Sequence, residues 1–198
     1  MLITNAKRPL HRDELLEALV IEPGMKGLEQ DDRILSGDGD IDDNFASDCA
    51  DLIILDSNGY YQLLHSSLKD YLCSPPTASF DVPMEYRAMQ ANAEKTLGET
   101  CLTYLTFDKF KTGPAKSLQE LSKLLDENPF LDYASNYWDQ HVAADNQVKT
   151  NDLMRDFLYS SGTQDLSIQV FLLRHDQPLQ ECSRTSTLNF PVARGVVF

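Results

Sequence analysis

The stretch Leu52-Ile53-Ile54-Leu55-Asp56-Ser57-Asn58-Gly59-Tyr60-Tyr61-Gln62-Leu63-Leu64 decides how the chain is read. Two runs of aliphatic and aromatic residues flank an Asn-Gly pair. Side chains of that kind suit a pleated surface, and Asn-Gly tolerates the positive φ that a tight hairpin needs. The segment therefore predicts a strand, a tight turn and a return strand. Ser66 or Ser67 then caps a helix through Leu68, Tyr71 and Leu72, which Pro75-Pro76 ends.

Toward the N-terminus, Leu15, Leu16 and Leu19 follow helical spacing, with Asp13 and Glu14 in the first turn where the helix dipole favours acids. The pattern is entered at Arg8-Pro9-Leu10-His11 and stopped at Pro23-Gly24. Residues 1–7 show no periodicity and are expected as a disordered lead. Gly24 to Asp43 is rich in glycine and aspartate and is expected as a mobile loop. Asp43 or Asn44 then caps a short helix carrying Phe45, Ala46, Cys49 and Ala50.

Toward the C-terminus the pattern is mostly helical. Tyr86, Met89, Ala93, Leu97, Cys101, Tyr104 and Leu105 form one long amphipathic stripe. Ser117 and Glu120 make a capping box, and Asn128-Pro129 opens a helix with Phe130, Ala134, Tyr137 and His141 on one side. Asp152 to Tyr159 is a further helix. Leu166, Ile168, Val170 and Leu172 alternate as in a strand, in a window short enough to be helical instead. The expected fold class is mainly α with a small β-hairpin. It comprises an α+β unit at residues 8–76, a helical unit at 83–177 and an irregular tail at 178–198.

Composition excludes several functions. In 198 residues, 17 bases stand against 31 acids, a net charge of −14. Between Leu28 and Asp56 there are ten acids and one base, Arg33. Such a surface repels phosphate backbones and anionic lipid, so neither nucleic acid nor membrane is an expected partner. No run approaches the roughly 20 apolar residues of a bilayer span. The four cysteines are widely spaced without a C-x-x-C pair, and residues 1–12 hold no apolar signal core. A cytoplasmic location is expected.

Motifs for chemistry are weak. Asp38-Gly39-Asp40-Ile41-Asp42 resembles the start of a calcium loop, but positions six and twelve hold Asp43 and Cys49 where Gly and Glu belong. Cys49 and His65 satisfy only the loosest test for a thiolate–imidazole pair. There is no G-x-S-x-G and no G-x-x-x-x-G-K-[ST]. The histidines at 11, 65, 141 and 175 lack metal-ligand spacing, and Trp138 with Tyr133 and Tyr137 fits a core stripe better than a stacking surface. No catalytic residue, metal or cofactor is expected. The order helix, acidic loop, helix, strand, turn, strand is that of a winged helix. A DNA-binding role would place a helix near Asn44 to Asp51 on phosphate, and that segment carries Asp48, Asp51 and no base.

Five ordered blocks carry a family resemblance: Arg8-Pro9-Leu10 through Pro23-Gly24, Cys49 to Asp56, Leu64 to Leu72, Cys101 to Leu105, and Pro129 to Trp138. Together they resemble the winged-helix domain, also labelled the GPI inositol-deacylase winged helix, of fungal NACHT and ankyrin-repeat proteins of the NLR-like STAND class. The resemblance implies a non-enzymatic regulatory module that packs on a NACHT nucleotide-binding domain lying outside this chain, with ankyrin or other repeats following. ADP or ATP would belong to that domain. It also implies a role for His65, because Leu64-His65-Ser66 stands where related receptors carry Met-His-Asp and direct the His to the β-phosphate of ADP; here Ser66 replaces the Asp. A remnant of a GPI inositol-deacylase-type hydrolase is the enzymatic alternative. Leu188 and Gly195 keep the spacing of an ankyrin opening, with Asn189 in place of its His. Tyr104, Leu105, Tyr137 and Trp138 are the expected contacts joining the two units.

Overall fold

The computed structural model describes residues 1–28, 52–73, 83–144 and 152–175. The described chain is mainly α-helical with a small antiparallel sheet. Helix α1 (Leu2–Asn5) leads into strand β1 (Leu10–His11) and helix α2 (Arg12–Leu19). Strands β2 (Ile53–Leu55) and β3 (Tyr60–Leu63) form the hairpin, and α3 (Ser66–Leu72) follows. The helical body comprises α4 (Met84–Ala91), α5 (Ala93–Leu105), a 3-10 turn at Asp108–Thr112, α6 (Leu118–Glu127), α7 (Phe130–Ala144), α8 (Asp152–Tyr159) and α9 (Ser161–His175).

The sheet has the order β1-β3-β2. Leu10 pairs with Tyr61 and His11 with Tyr60, while Ile53, Ile54 and Leu55 pair with Leu63, Gln62 and Tyr61. The hairpin turn closes from Gly59 N–H to the Asp56 carbonyl (3.0 Å), with Ser57 and Asn58 at its corners and Gly59 at φ +79°. This is the geometry of a three-residue hairpin loop, in which a left-handed glycine follows the turn. The Asp56 side chain holds it in place, accepting from the N–H groups of Asn58 (2.8 Å) and Tyr60 (3.0 Å).

Several elements differ from the sequence reading. Residues 1–7, expected as a disordered lead, contain α1, with Thr4 buried. Asn5 pairs with Gln90 through two amide hydrogen bonds (3.2 and 2.6 Å). Tertiary anchoring, which has no periodicity, orders this arm. Helix α2 starts at Arg12, because Leu10 and His11 are taken by the sheet. His11 caps it, accepting from Asp13 N–H (3.4 Å) while Glu14 returns to His11 N–H (2.7 Å). The long stripe from Tyr86 to Leu105 is broken at Asn92; Tyr86 and Met89 are exposed, and burial begins at Ala93. Leu166 to Leu172 lies in helix α9. Gly24 to Leu28, the start of the expected mobile loop, is docked: the Lys26 carbonyl accepts Asp108 N–H (2.9 Å), and Met25 and Leu28 pack against the core. The rest of that loop, the helix expected after Asn44, Cys49, Pro75-Pro76 and the tail at 178–198 lie outside the described residues.

One hydrophobic core runs through both expected units. It includes Leu10, Leu15, Ile21, Ile53 and Tyr61 from the α+β part and Leu102, Tyr104, Phe107, Phe130 and Leu166 from the helical part. The helical body is built on the pairing of α5 with α7. Tyr104 meets Phe107, Phe110 and Phe130 at ring separations of 5.0–5.4 Å, tilted or edge-on as aromatic quadrupoles prefer.

Candidate functional site: an apolar sheet face and a polar junction

Alternation along the hairpin gives the sheet two faces. Ile53 and Tyr61 point into the core and are buried. The opposite face carries Leu52, Ile54, Tyr60, Gln62 and Leu64. Leu64 N–H donates to the Leu52 carbonyl (2.9 Å), so the ladder extends one pair beyond the strands and sets these two leucines side by side. Leu52 is 45% exposed, Ile54 41% and Leu64 58%. Surface leucines scattered singly are ordinary, but three aliphatic side chains together on one sheet face form a patch.

His65 stands at the end of this patch, exposed, as the N-cap of α3. Its Nδ1 accepts from Ser67 N–H (3.1 Å) and lies 2.7 Å from Ser67 Oγ. An accepting Nδ1 places the proton of a neutral ring on Nε2, which becomes an outward donor. Capping and anion contact are therefore compatible roles for one ring. Ser67 supplies the pairing that fixes the tautomer, and Ser66 supplies the first helical residue.

The expected joining residues behave differently from one another. Tyr104 reaches the α+β part: its hydroxyl donates to Glu17 Oε2 (2.7 Å), and the same oxygen accepts Phe130 N–H (2.9 Å) at the start of α7. A carboxylate at a helix N-terminus is favoured by the dipole and by free N–H groups. Leu105 is buried in the shared core. Tyr137 lies beside Tyr133 (4.9 Å), and the Arg8 guanidinium sits 5.9 Å from its ring. Trp138 packs edge-on against Phe157 of α8 (5.1 Å), within the helical body.

Sequence reasoning missed most of the polar junction. Arg8 forks onto Glu14 (2.7 and 2.5 Å), reaches Asp132 (2.7 Å) and lies 5.3 Å from the Tyr133 ring. Asp132 also accepts from Arg174 (2.5 Å). Next to it, His141 is fully buried, with Nδ1 2.6 Å from Glu94 Oε2 and Nε2 2.8 Å from the Tyr133 hydroxyl. Tyr133 Oη accepts Lys7 N–H (2.9 Å), and Lys7 Nζ returns to Glu94 Oε1 (2.8 Å), closing a ring of bonds. Burial lowers the His141 pKa, outweighing the opposing pull of Glu94. Burial would raise Glu94, but hydrogen bonds from Lys7 and His141 prevail and hold its carboxyl below the ordinary value. Burial pushes the Tyr133 phenol up. Tyr133 and His141 share α7 but lie eight residues apart, about two turns of rise, so their spacing did not announce the bond, and Glu94 and Lys7 carry no local mark of it.

Among the described residues, no three His, Cys, Asp or Glu side chains converge as a metal-ligand set, and no helix is long and apolar enough to cross a membrane. Compared with known proteins, the chain matches no family model, no curated protein and no solved structure.

Proposed function

We propose that the chain is a non-enzymatic regulatory module of an NLR-like signalling ATPase: a winged helix with a helical body that packs on a NACHT nucleotide-binding domain outside these residues. The observation that carries this reading is the apolar outward face of the sheet, Leu52, Ile54 and Leu64, running up to the exposed His65. Two further features support it. The sheet order β1-β3-β2, with α2 following β1 and a glycine turn joining β2 to β3, is compatible with a winged helix. The net charge of −14 opposes the alternative of a DNA-binding winged helix.

In this reading the aliphatic face supplies contact area, and His65 Nε2–H contributes a donor toward a phosphate oxygen of nucleotide held by the partner. ADP and ATP are ligands of the partner and not of this chain alone. The hydrolase alternative has no nucleophile motif behind it.

The test is nucleotide release from a P-loop NACHT domain, alone and with this chain fused behind it. Slower ADP release in the fusion is expected, with Leu64→Lys and His65→Ala each restoring faster release. Equal release from all four proteins would refute the proposal. Tight, salt-sensitive binding of duplex DNA by the chain alone would favour the DNA-binding reading instead.

A further inference from the structure

The ring formed by Lys7, Glu94, Tyr133 and His141 plays no part in the docking face, and its hydrogen-bond directions point to a different use. We propose that His141, acting through Tyr133 and Glu94, is a proton-sensitive latch that clamps the N-terminal arm, residues 1–7, to α5 and α7 at neutral pH and releases it on acidification.

The argument is one of donors and acceptors. With a neutral imidazole, every bond in the ring has a donor and an acceptor. Lys7 N–H donates to Tyr133 Oη, the Tyr133 hydroxyl donates to His141 Nε2, and His141 Nδ1–H donates to Glu94. Lys7 Nζ donates to the second Glu94 oxygen. The arm is thereby held at both the backbone and the side chain of one residue.

A second proton on His141 turns both ring nitrogens into donors. Tyr133 Oη must then accept from Nε2–H, and its own proton loses its acceptor. Oη then receives both Nε2–H and Lys7 N–H, and the displaced phenolic proton competes with Lys7 N–H for the space around one oxygen. In a buried site the outcome is an orphaned hydroxyl or a displaced Lys7, and an orphaned buried polar group is costly. The arm is the smaller of the two parties. Beyond this ring it is tied by the amide pair of Asn5 with Gln90, by buried Thr4 and by Leu2, Ile3 and Ala6 against the core, whereas Tyr133 and His141 sit on a fifteen-residue helix in the core.

The charged and titratable surroundings of His141 are mixed. From α5 comes Glu94, from the arm Lys7, and from α7 itself Tyr133 and Asp139; Cys101, Arg8 and Tyr137 lie against the neighbouring Tyr133. Lys7 opposes the charged imidazole, while Glu94 and Asp139 favour it, and burial tips the balance against it. Arg8 is already committed to Glu14 and Asp132, so its charge stays in place when the latch opens.

Amide hydrogen exchange on the full chain tests this. Lys7 protection, corrected for intrinsic exchange, is measured at about pH 7.5 and at a pH below the titration of the His141 ring as its own nitrogen shifts locate it, with the Leu102 amide of α5 as the core reference. A drop of about tenfold or more at Lys7, with Leu102 unchanged, is expected. The midpoint of that drop should coincide with the titration of the His141 ring followed by its own nitrogen shifts, a readout that needs no variant. His141→Gln, which keeps a donor and an acceptor but does not titrate, should hold Lys7 at both pH values. Equal Lys7 protection at both pH values, a parallel loss at Leu102, or a release midpoint that departs from the His141 titration would each overturn the latch.

Discussion

The Tyr104 hydroxyl donates to the Glu17 carboxylate at 2.7 Å, tying α5 of the helical body to α2 beside the sheet. Glu17 Oε2 serves a second donor, Phe130 N–H, so one buried carboxylate oxygen organises three helices. Tyr104→Phe should cost about 1–2 kcal/mol, and Glu17→Ala about 2–4 kcal/mol because two donors lose their acceptor. Urea denaturation followed by both far-ultraviolet dichroism and Trp138 fluorescence should show a single shared transition. Separate transitions for the two probes would mean that the α+β and helical parts fold independently.

Gly59 is held by two constraints at once. Its φ of +79° disfavours any side chain, and a Cβ there would stand 2.6 Å from His11 Nε2. Gly59→Val should therefore destabilise by about 2 kcal/mol or more. In the His11→Ala background the steric part disappears and only the backbone strain is left, so the penalty should shrink. A cycle with no coupling between the two positions would show that the imidazole moves aside freely.

Gly162 faces a backbone rather than a side chain. A Cβ on it would overlap the Lys111 carbonyl oxygen, where the 3-10 turn approaches the start of α9. Gly162→Ala should cost about 1–3 kcal/mol, since a main-chain oxygen cannot rotate away as a side chain would. A melting midpoint unchanged from wild type would indicate that α9 shifts without resistance.

Acid should weaken the fold in two stages. His141 is lowered from 6.5, so its contribution to stability is complete above that value and is lost as pH falls through the lower folded pKa. Glu94 is lowered from 4.5, and what it contributes is lost only below that value. Stability measured against pH should begin to fall below about 6.5, and His141→Gln should remove that first stage while leaving the second. A profile flat between 6.5 and 4.5 in the wild type would contradict the buried neutral imidazole.

The outward sheet face should be dispensable for folding. Ile54→Lys and Leu64→Lys replace side chains that are 41% and 58% exposed, and each should change stability by no more than about 0.5 kcal/mol. Parallel thermal melts check this, and a loss of several degrees would reassign the face to the core.

Much of the fold was legible because local chemistry and tertiary structure agree. The hairpin, the Ser117 cap, the start of α7 after Pro129 and the helix at 152–159 each follow from a cap, a turn residue or a period of 3.6. Ser117 accepts Glu120 N–H at 3.1 Å as expected, although Glu120 returns to Lys116 N–H (2.8 Å) rather than to its cap. The long stripe failed at Asn92 because periodicity continues where the backbone turns, and the arm at residues 1–7 was missed because its anchors, Gln90, Glu94 and Tyr133, lie more than eighty residues away.

The sequence alone determined that Gly59 would take a positive φ, that α7 would carry Phe130, Ala134, Tyr137 and His141 along one side, and that the chain would be strongly acidic, since each depends on residues within a few turns or on composition. Only the tertiary structure decided that His141 is buried beside Glu94, that Glu17 serves Tyr104 and Phe130 together, and that Trp138 turns toward Phe157 instead of the sheet. The physical reason is that a buried polar group must find its partner wherever the fold supplies one, and that choice is made by the packing of α2, α5 and α7 across distances that no local pattern encodes.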